Sequence, residues 1–252
     1  MKLRILGCGT STGVPVIGCH CGVCSSKDPR NRRMRASALI KTRGKNILID
    51  TSTDLRSQSL ANGIEKIDAV LFTHPHADHI HGIDDLRAFN LIQNGPIPCY
   101  GSGHTVERIK VMFDYIFRKD AYDGWKPNLT ATAVEAPFDI DGIGVTPVEI
   151  LHGNAVIYGY RVGKVAYLTD CSSIPDASLR LLKGLDLLVL GALRHKPHPT
   201  HFTVEQAVEA SRAINPKRTL LTHLGHSLDY TKDDPLLPEG IGLAYDGLEV
   251  EL

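Results

Sequence analysis

Between Thr73 and His79 the chain reads Thr-His-Pro-His-Ala-Asp-His, placing the imidazoles of His74, His76 and His79 and the carboxylate of Asp78 within six residues. Imidazole nitrogen combined with carboxylate oxygen is a donor set for zinc, manganese or iron. The run follows directly on Ile67–Phe72, an apolar stretch of branched and aromatic residues that reads as a buried strand. In extended backbone alternate residues share a face, so His74 and His76 can point at one ion. Asp78 and His79 fall where the chain must turn and can serve a neighbouring ion. With 12 His in 252 residues a scattered His means little; four metal-capable groups at one strand end mean more.

Three further candidates share this habit. His152 ends the run Val145–Leu151, Asp170 ends Val165–Thr169, and His223 ends Thr219–Thr222. Layered α/β enzymes place their function on loops at strand ends. The full set of five His and two Asp suffices for two ions bridged by one shared carboxylate. Cations roughly 3.5–4 Å apart can share a hydroxide formed near neutral pH. A second cluster, Cys19-His20-Cys21-Gly22-Val23-Cys24, offers three thiols that can wrap one zinc. A closed structural site needs a fourth ligand; His226 is the candidate, since His20 is expected to point away. Together the two clusters predict about three ions per chain: two catalytic divalent ions, zinc or manganese, and one structural zinc. Cys8, Cys99 and Cys171 stand alone and read as packing residues.

Short branched runs supply the strands that would carry these groups: Leu3–Leu6, Ser37–Lys41, Asn46–Ile49, Ile67–Phe72, Val145–Leu151, Ile157–Val162, Val165–Leu168, Leu187–Leu190 and Thr219–Leu221. Helical periodicity is interleaved over Thr105–Phe117 and from Pro175 to Leu182, and Thr203-Val204-Glu205-Gln206 fits a capping box. No linker, charge block or internal repeat divides the chain, so the expectation is one α/β domain over 1–252. Hydrophobic residues make up 42% and charged ones 22%, as in ordinary globular proteins. Formal net charge is zero, which provides no bulk positive field to hold nucleic acid. No apolar stretch reaches the roughly 20 residues needed to cross a bilayer. The N-terminal strand pattern breaks at Gly7, too early for a signal peptide. Crowded cysteines that read as metal ligands fit a reducing cytoplasm. A homodimer is compatible with all of this.

The order His74-x-His76-x-Asp78-His79, then His152, Asp170 and His223, resembles the metallo-β-lactamase superfamily across nearly the whole chain. The N-terminal Gly7-Cys8-Gly9-Thr10-Ser11-Thr12-Gly13-Val14-Pro15, the Cys loop and Thr222-His223-Leu224-Gly225-His226 are similar to the branch typified by phosphoribosyl 1,2-cyclic phosphate phosphodiesterases. The resemblance implies an αββα sandwich. It implies that His74, His76 and His152 hold one ion, that Asp78, His79 and His223 hold the second, and that Asp170 bridges. Asp78 would thus enter catalysis as a ligand rather than an independent base. Cys19, Cys21, Cys24 and His226 match the branch's structural zinc site. His201-Phe202-Thr203 looks like the His-x-Thr element of related phosphodiesterases, making His201 the proton donor to the leaving oxygen. The basic loop Arg194–Pro199, with His195 and His198, could contact a phosphate or sugar, or be solvated. The expected activity is hydrolysis of a small or cyclic phosphodiester. Competing readings are an RNA 3′-end nuclease, a thioester or lactam hydrolase, and a non-catalytic binder resembling the pyrroloquinoline-quinone biosynthesis protein. Zero net charge opposes the nuclease, and the complete ligand series opposes the binder.

Overall fold

Alternating apolar residues in the first three strands face two different cores, which is why these segments read as near-continuous hydrophobic runs. The computed structural model describes residues 1–118 and 125–252. In chain order its strands are β1 (Lys2–Gly7), β2 (Ser37–Thr42), β3 (Lys45–Ile49), β4 (Ala69–Leu71), β5 (Ile97–Gly101), β6 (Leu129–Ala133) and β7 (Phe138–Ile140). There follow β8 (Ile143–His152), β9 (Ala155–Val162), β10 (Val165–Leu168), β11 (Leu187–Gly191), β12 (Arg218–Thr222), β13 (Ile241–Leu243) and β14 (Glu249–Glu251). They form two seven-stranded sheets, ordered β14-β1-β2-β3-β4-β5-β6 and β13-β12-β11-β10-β9-β8-β7. From β14 across the first sheet three antiparallel pairings are followed by three parallel ones. From β7 across the second the same sequence of pairings recurs.

Ile5, Ile40, Ile47, Ile49 and Leu71 point between the sheets, into a core shared with Val148, Tyr160, Leu168, Val189 and Leu221. Their neighbours Leu6, Leu39, Leu48 and Val70 point outward against the helices through Leu55, Leu86, Phe89 and Ile109. The helix Val204–Ile214 packs on β11 and β12 at the other side. The result is the αββα sandwich that the resemblance implies. Every strand expected from sequence is present, with ends shifted by a few residues. The expected helix Thr105–Phe117 is broken at Phe113 into Gly103–Met112 and Asp114–Phe117. The capping box forms as read: Thr203 Oγ1 accepts from Gln206 N, and Gln206 returns a bond to Thr203 N. Among the described residues no helix is long and apolar enough to cross a membrane.

Candidate metal centres

The strand proper stops at Leu71, and His76 has extended backbone (φ −72°, ψ 151°) at the N-cap of the short helix Ala77–Ile80. The expected division follows from that junction. His74 and His76 have ring centroids 4.5 Å apart before the helix, while Asp78 and His79 ride on its first turn. From the second sheet come His152 at the end of β8, Asp170 two residues beyond β10 and His223 directly after β12. Asp170 (φ 54°), His223 (φ 58°) and Asp50 (φ 60°), just past β3, are left-handed. That is three of the seven non-glycine residues with positive φ among the described residues. Such backbone costs free energy and persists where the surrounding structure holds it, commonly at functional sites.

Asp170 is the meeting point. Its Oδ1 lies 3.4 Å from His79 Nε2 and 3.3 Å from His223 Nε2, and its Oδ2 lies 3.8 Å from His74 Nε2. Asp78 Oδ2 is 3.2 Å from His79 Nε2 and 3.7 Å from His223 Nε2. Three donor groups, Asp78–His79–Asp170–His223, His74–His76–Asp170 and His152–Asp170–His201, therefore share one carboxylate, with the donor atoms of each group within 4.8 Å of one another. The ring of His152 stands 5.2 Å from His76 and 5.7 Å from His74. Its Nδ1 donates to the Asp170 carbonyl at 2.8 Å, leaving Nε2 as its lone-pair donor.

These residues fit divalent cations on an observation independent of the motif. Nε2 of His74, His79 and His223, and Nδ1 of His223, are buried without a hydrogen-bond partner. Orphaned buried nitrogens are costly, and cations at the centre would satisfy the three Nε2 atoms that face Asp170. Burial would lower the pKa of His79, but Asp170, Asp78 and Asp50 outweigh it and raise it. Burial likewise opposes ionisation of Asp170, and the surrounding imidazoles from His223 and His79 hold its carboxyl well below the usual range. Desolvation pushes His74 down, keeping that ring neutral and free to ligate.

Sequence reasoning missed Asp50. Its fully buried carboxylate accepts from His79 Nδ1 at 2.7 Å and from the amide and hydroxyl of Thr73 at 2.8 Å each. It thereby fixes the His79 tautomer and aims Nε2 inward, as carboxylate partners of ligating histidines do. The available signal was the rule already applied elsewhere, an Asp at the end of a strand-like run.

In the second cluster His226 Nδ1 lies 3.3, 3.6 and 3.5 Å from the sulfurs of Cys19, Cys21 and Cys24. These four form a metal-capable group that excludes His20. The Cys24 amide and neighbouring donors draw the Cys21 thiol down to about 6, into the range where it ligates as thiolate. Cys8, Cys99 and Cys171 are buried, as expected of packing residues.

His201 stacks on His223 at 4.9 Å and meets His152 edge-on at 4.8 Å. Burial, followed by the neighbouring His223, depresses its pKa to about 3. His198 lies 5.0 Å from His201, and its Nδ1 accepts from the Thr200 amide. His195 Nδ1 meets Glu205 Oε1 at 2.6 Å and its Nε2 meets Asp233 Oδ1 at 3.0 Å.

An αββα sandwich whose strand ends converge on such a centre defines a metal-dependent hydrolase class. The family described as the beta-lactamase superfamily domain matches residues 45–224, and the chain belongs to it. A diphosphatase of the PhnP family is similar in structure, with TM-score 0.93 and 46% identity over 99% of this chain and 96% of that one. Zn²⁺-bound PqqB from Methylobacterium extorquens shares the fold at TM-score 0.81 and 21% identity, covering both chains fully. An octanoyltransferase from Porphyromonas gingivalis is 41% identical over 99% of this chain, which spans 51% of that protein's length.

Proposed function

We propose that the chain is a two-metal phosphodiesterase acting on a small or cyclic phosphodiester. The observation carrying this reading is Asp170, one buried carboxylate shared among three imidazole-rich donor groups. His74, His76 and His152 would hold one ion, and Asp78, His79 and His223 the other. Divalent ions so placed supply an acidified water and draw charge from phosphoryl oxygens. Around them the chain's own groups set geometry. Asp50 and Thr73 lock His79, and the Asp170 carbonyl locks His152. His201 is the candidate proton donor to the leaving oxygen. It is neutral at rest, and an anionic phosphoryl group brought against it favours its protonated form. The 46% identical diphosphatase supports phosphorus as the electrophile.

A cavity of about 530 Å³ beside the loop after His223 is lined by Thr10, Arg194, His195, Lys196, His226 and Ser227 among others, and a more apolar one of about 470 Å³ lies among Leu60, Ile64, Phe89, Ile92 and Trp125. Neither is lined by a donor of the Asp170 centre, so neither is assigned to the substrate. The chain matches only 51% of the octanoyltransferase's length, so its name does not assign acyl transfer to this half. Cys8 and Cys171 are fully buried, with thiols pushed up by desolvation, and the exposed Cys21 belongs to the Cys cluster.

The test is a screen of metal-replete protein against cyclic and linear phosphodiesters, beside a diphosphate, a lactam and an octanoyl thioester. Phosphodiester hydrolysis abolished by Asp170→Ala, in a protein that still folds, is the expected result. Turnover of the thioester or lactam with no phosphodiester cleaved would overturn the assignment.

A further inference from the structure

The largest fully buried side chain among the described residues is that of an arginine. Arg33 is 2% exposed; its Nε donates to the Arg30 carbonyl at 3.3 Å, and its two Nη atoms reach the loop after β12. Nη1 donates to the Gly225 carbonyl at 2.9 Å, and Nη2 to the Leu228 carbonyl at 2.8 Å. Nη2 also donates to Asn31 Oδ1 at 3.0 Å, whose oxygen in turn accepts from Tyr230 N at 2.9 Å. These bonds bracket His226 on both sides. The preceding residue, Leu224, is pinned by its amide to the Cys8 carbonyl at 2.8 Å and by its carbonyl to the Thr10 amide at 3.2 Å. Gly225 N reaches the Leu193 carbonyl at 2.9 Å. A Cβ on Gly225 would stand 2.9 Å from that same carbonyl oxygen, so the loop has no room to shift toward it.

The loop therefore carries a donor of each cluster three residues apart: His223 faces Asp170 and Asp78, and His226 faces the three sulfurs. A buried guanidinium is expensive unless its hydrogen bonds are made, and a planar fork can hold separate carbonyls where an ammonium cannot. We propose that Arg33 is a positioning residue for both metal centres, coupling them by fixing the 223–228 loop so that His223 and His226 are aimed together. The inference rests on the two clusters holding metal, and not on the phosphodiester reading.

The experiment titrates the metal-free full chain with Co²⁺ against a competing chelator. The thiolate-to-cobalt charge-transfer band reports the Cys cluster, and the weaker ligand-field bands report the nitrogen–oxygen centre. Relative to the wild type, Arg33→Met and Arg33→Lys should each weaken Co²⁺ binding 10- to 100-fold at both centres, the effect typical of lost outer partners of metal ligands. The exposed neighbour variant Arg32→Met should bind as the wild type does. Should Arg33→Met fail to fold, Asn31→Ala keeps the guanidinium but removes its Asn31 partner, together with the bonds of that amide to Tyr230 N and Ser26. It should weaken both centres in the same direction, while Ser26→Ala, which leaves the Arg33–Asn31 bond in place, should not affect the nitrogen–oxygen centre. Unchanged affinity at both centres in folded variants overturns the proposal. Loss at the Cys cluster alone overturns the coupling. A wild-type chain that binds no Co²⁺ at either centre defeats the metal assignment itself, and this inference with it.

Discussion

Replacing Asp50 by Asn tests whether a residue that touches no substrate governs the metal centre. The carboxylate accepts three hydrogen bonds, from His79 Nδ1, Thr73 N and the Thr73 hydroxyl. An Asn keeps the shape but offers a single oxygen and an NH₂ group. At least one donor then faces another donor in a site from which water is excluded, at a cost of about 1–3 kcal/mol. The lost charge also removes what favours the Nδ1–H tautomer of His79. Metal affinity should fall 10- to 100-fold, the usual effect of losing such a partner. The assay pairs chemical denaturation of the metal-free protein with a chelator-competition titration of the metal-replete one. Both should move, and added metal should recover less stability in the variant than in the wild type. If Asp50→Asn bound metal as tightly as the wild type and unfolded at the same denaturant concentration, the proposed role of the Asp50–His79 bond would be wrong.

Cys21→Ser should lose one equivalent of zinc by elemental analysis and unfold at lower temperature, because a structural zinc contributes directly to folding free energy; unchanged zinc content and melting would exclude the Cys cluster as a site. His201→Ala should slow hydrolysis of an alkyl diester by 100- to 10,000-fold and that of a bis-nitrophenyl diester far less, at full metal content. Equal losses on both substrates would reduce His201 to a positioning role. Asp246 is half-buried and its pKa is raised to about 6, mainly by desolvation. The folded state thus holds a proton that the unfolded chain releases near pH 4, so this group's stabilisation is complete below pH 4 and is lost as pH rises to about 6. The loss amounts to roughly 3 kcal/mol. Asp246→Asn should remove that part of the pH dependence measured by denaturant titration at pH 4 and pH 7, and a parallel wild-type slope would refute it.

The ligand residues were legible because each follows a run of branched residues, a pattern that survives without any knowledge of pairing. The same signal identified nine strands. It failed for β5, where Pro98 and Cys99 interrupt the pattern, for the Thr/Ala-rich β6, and for the three-residue edge strands β7, β13 and β14. Short edge strands are held by their neighbours rather than by their own propensity. The helices Leu55–Asn62 and Leu86–Gln93 were missed as well, the first because its sequence is mostly polar. At the centre itself, Asp50 and Arg33 stayed hidden for a common reason. Each acts across more than 20 positions of sequence, Asp50 on Thr73 and His79, Arg33 on Gly225 and Leu228. The partner a buried charge will find is set by topology, which no local spacing records. The partners of His195 were hidden in the same way, since the folded chain brings Glu205 and Asp233 to its ring from two other elements.

The repeated order of pairings in the two sheets gives the centre a lineage in geometry. The fourth strand in each sheet, β3 or β10, marks the change from antiparallel to parallel pairing. Shortly past each lies an aspartate with left-handed backbone, Asp50 in one and Asp170 in the other. The two acids occupy matching places in two half-molecules, yet one turns its oxygens toward the shared donor groups and the other toward the back of a ring. Division of labour has replaced symmetry. His74, His76, Asp78 and His79 belong to one half, and His152, Asp170 and His223 to the other. Cut between β6 and β7, neither fragment retains donors enough to close around two ions, and the centre exists only where the fragments reassemble.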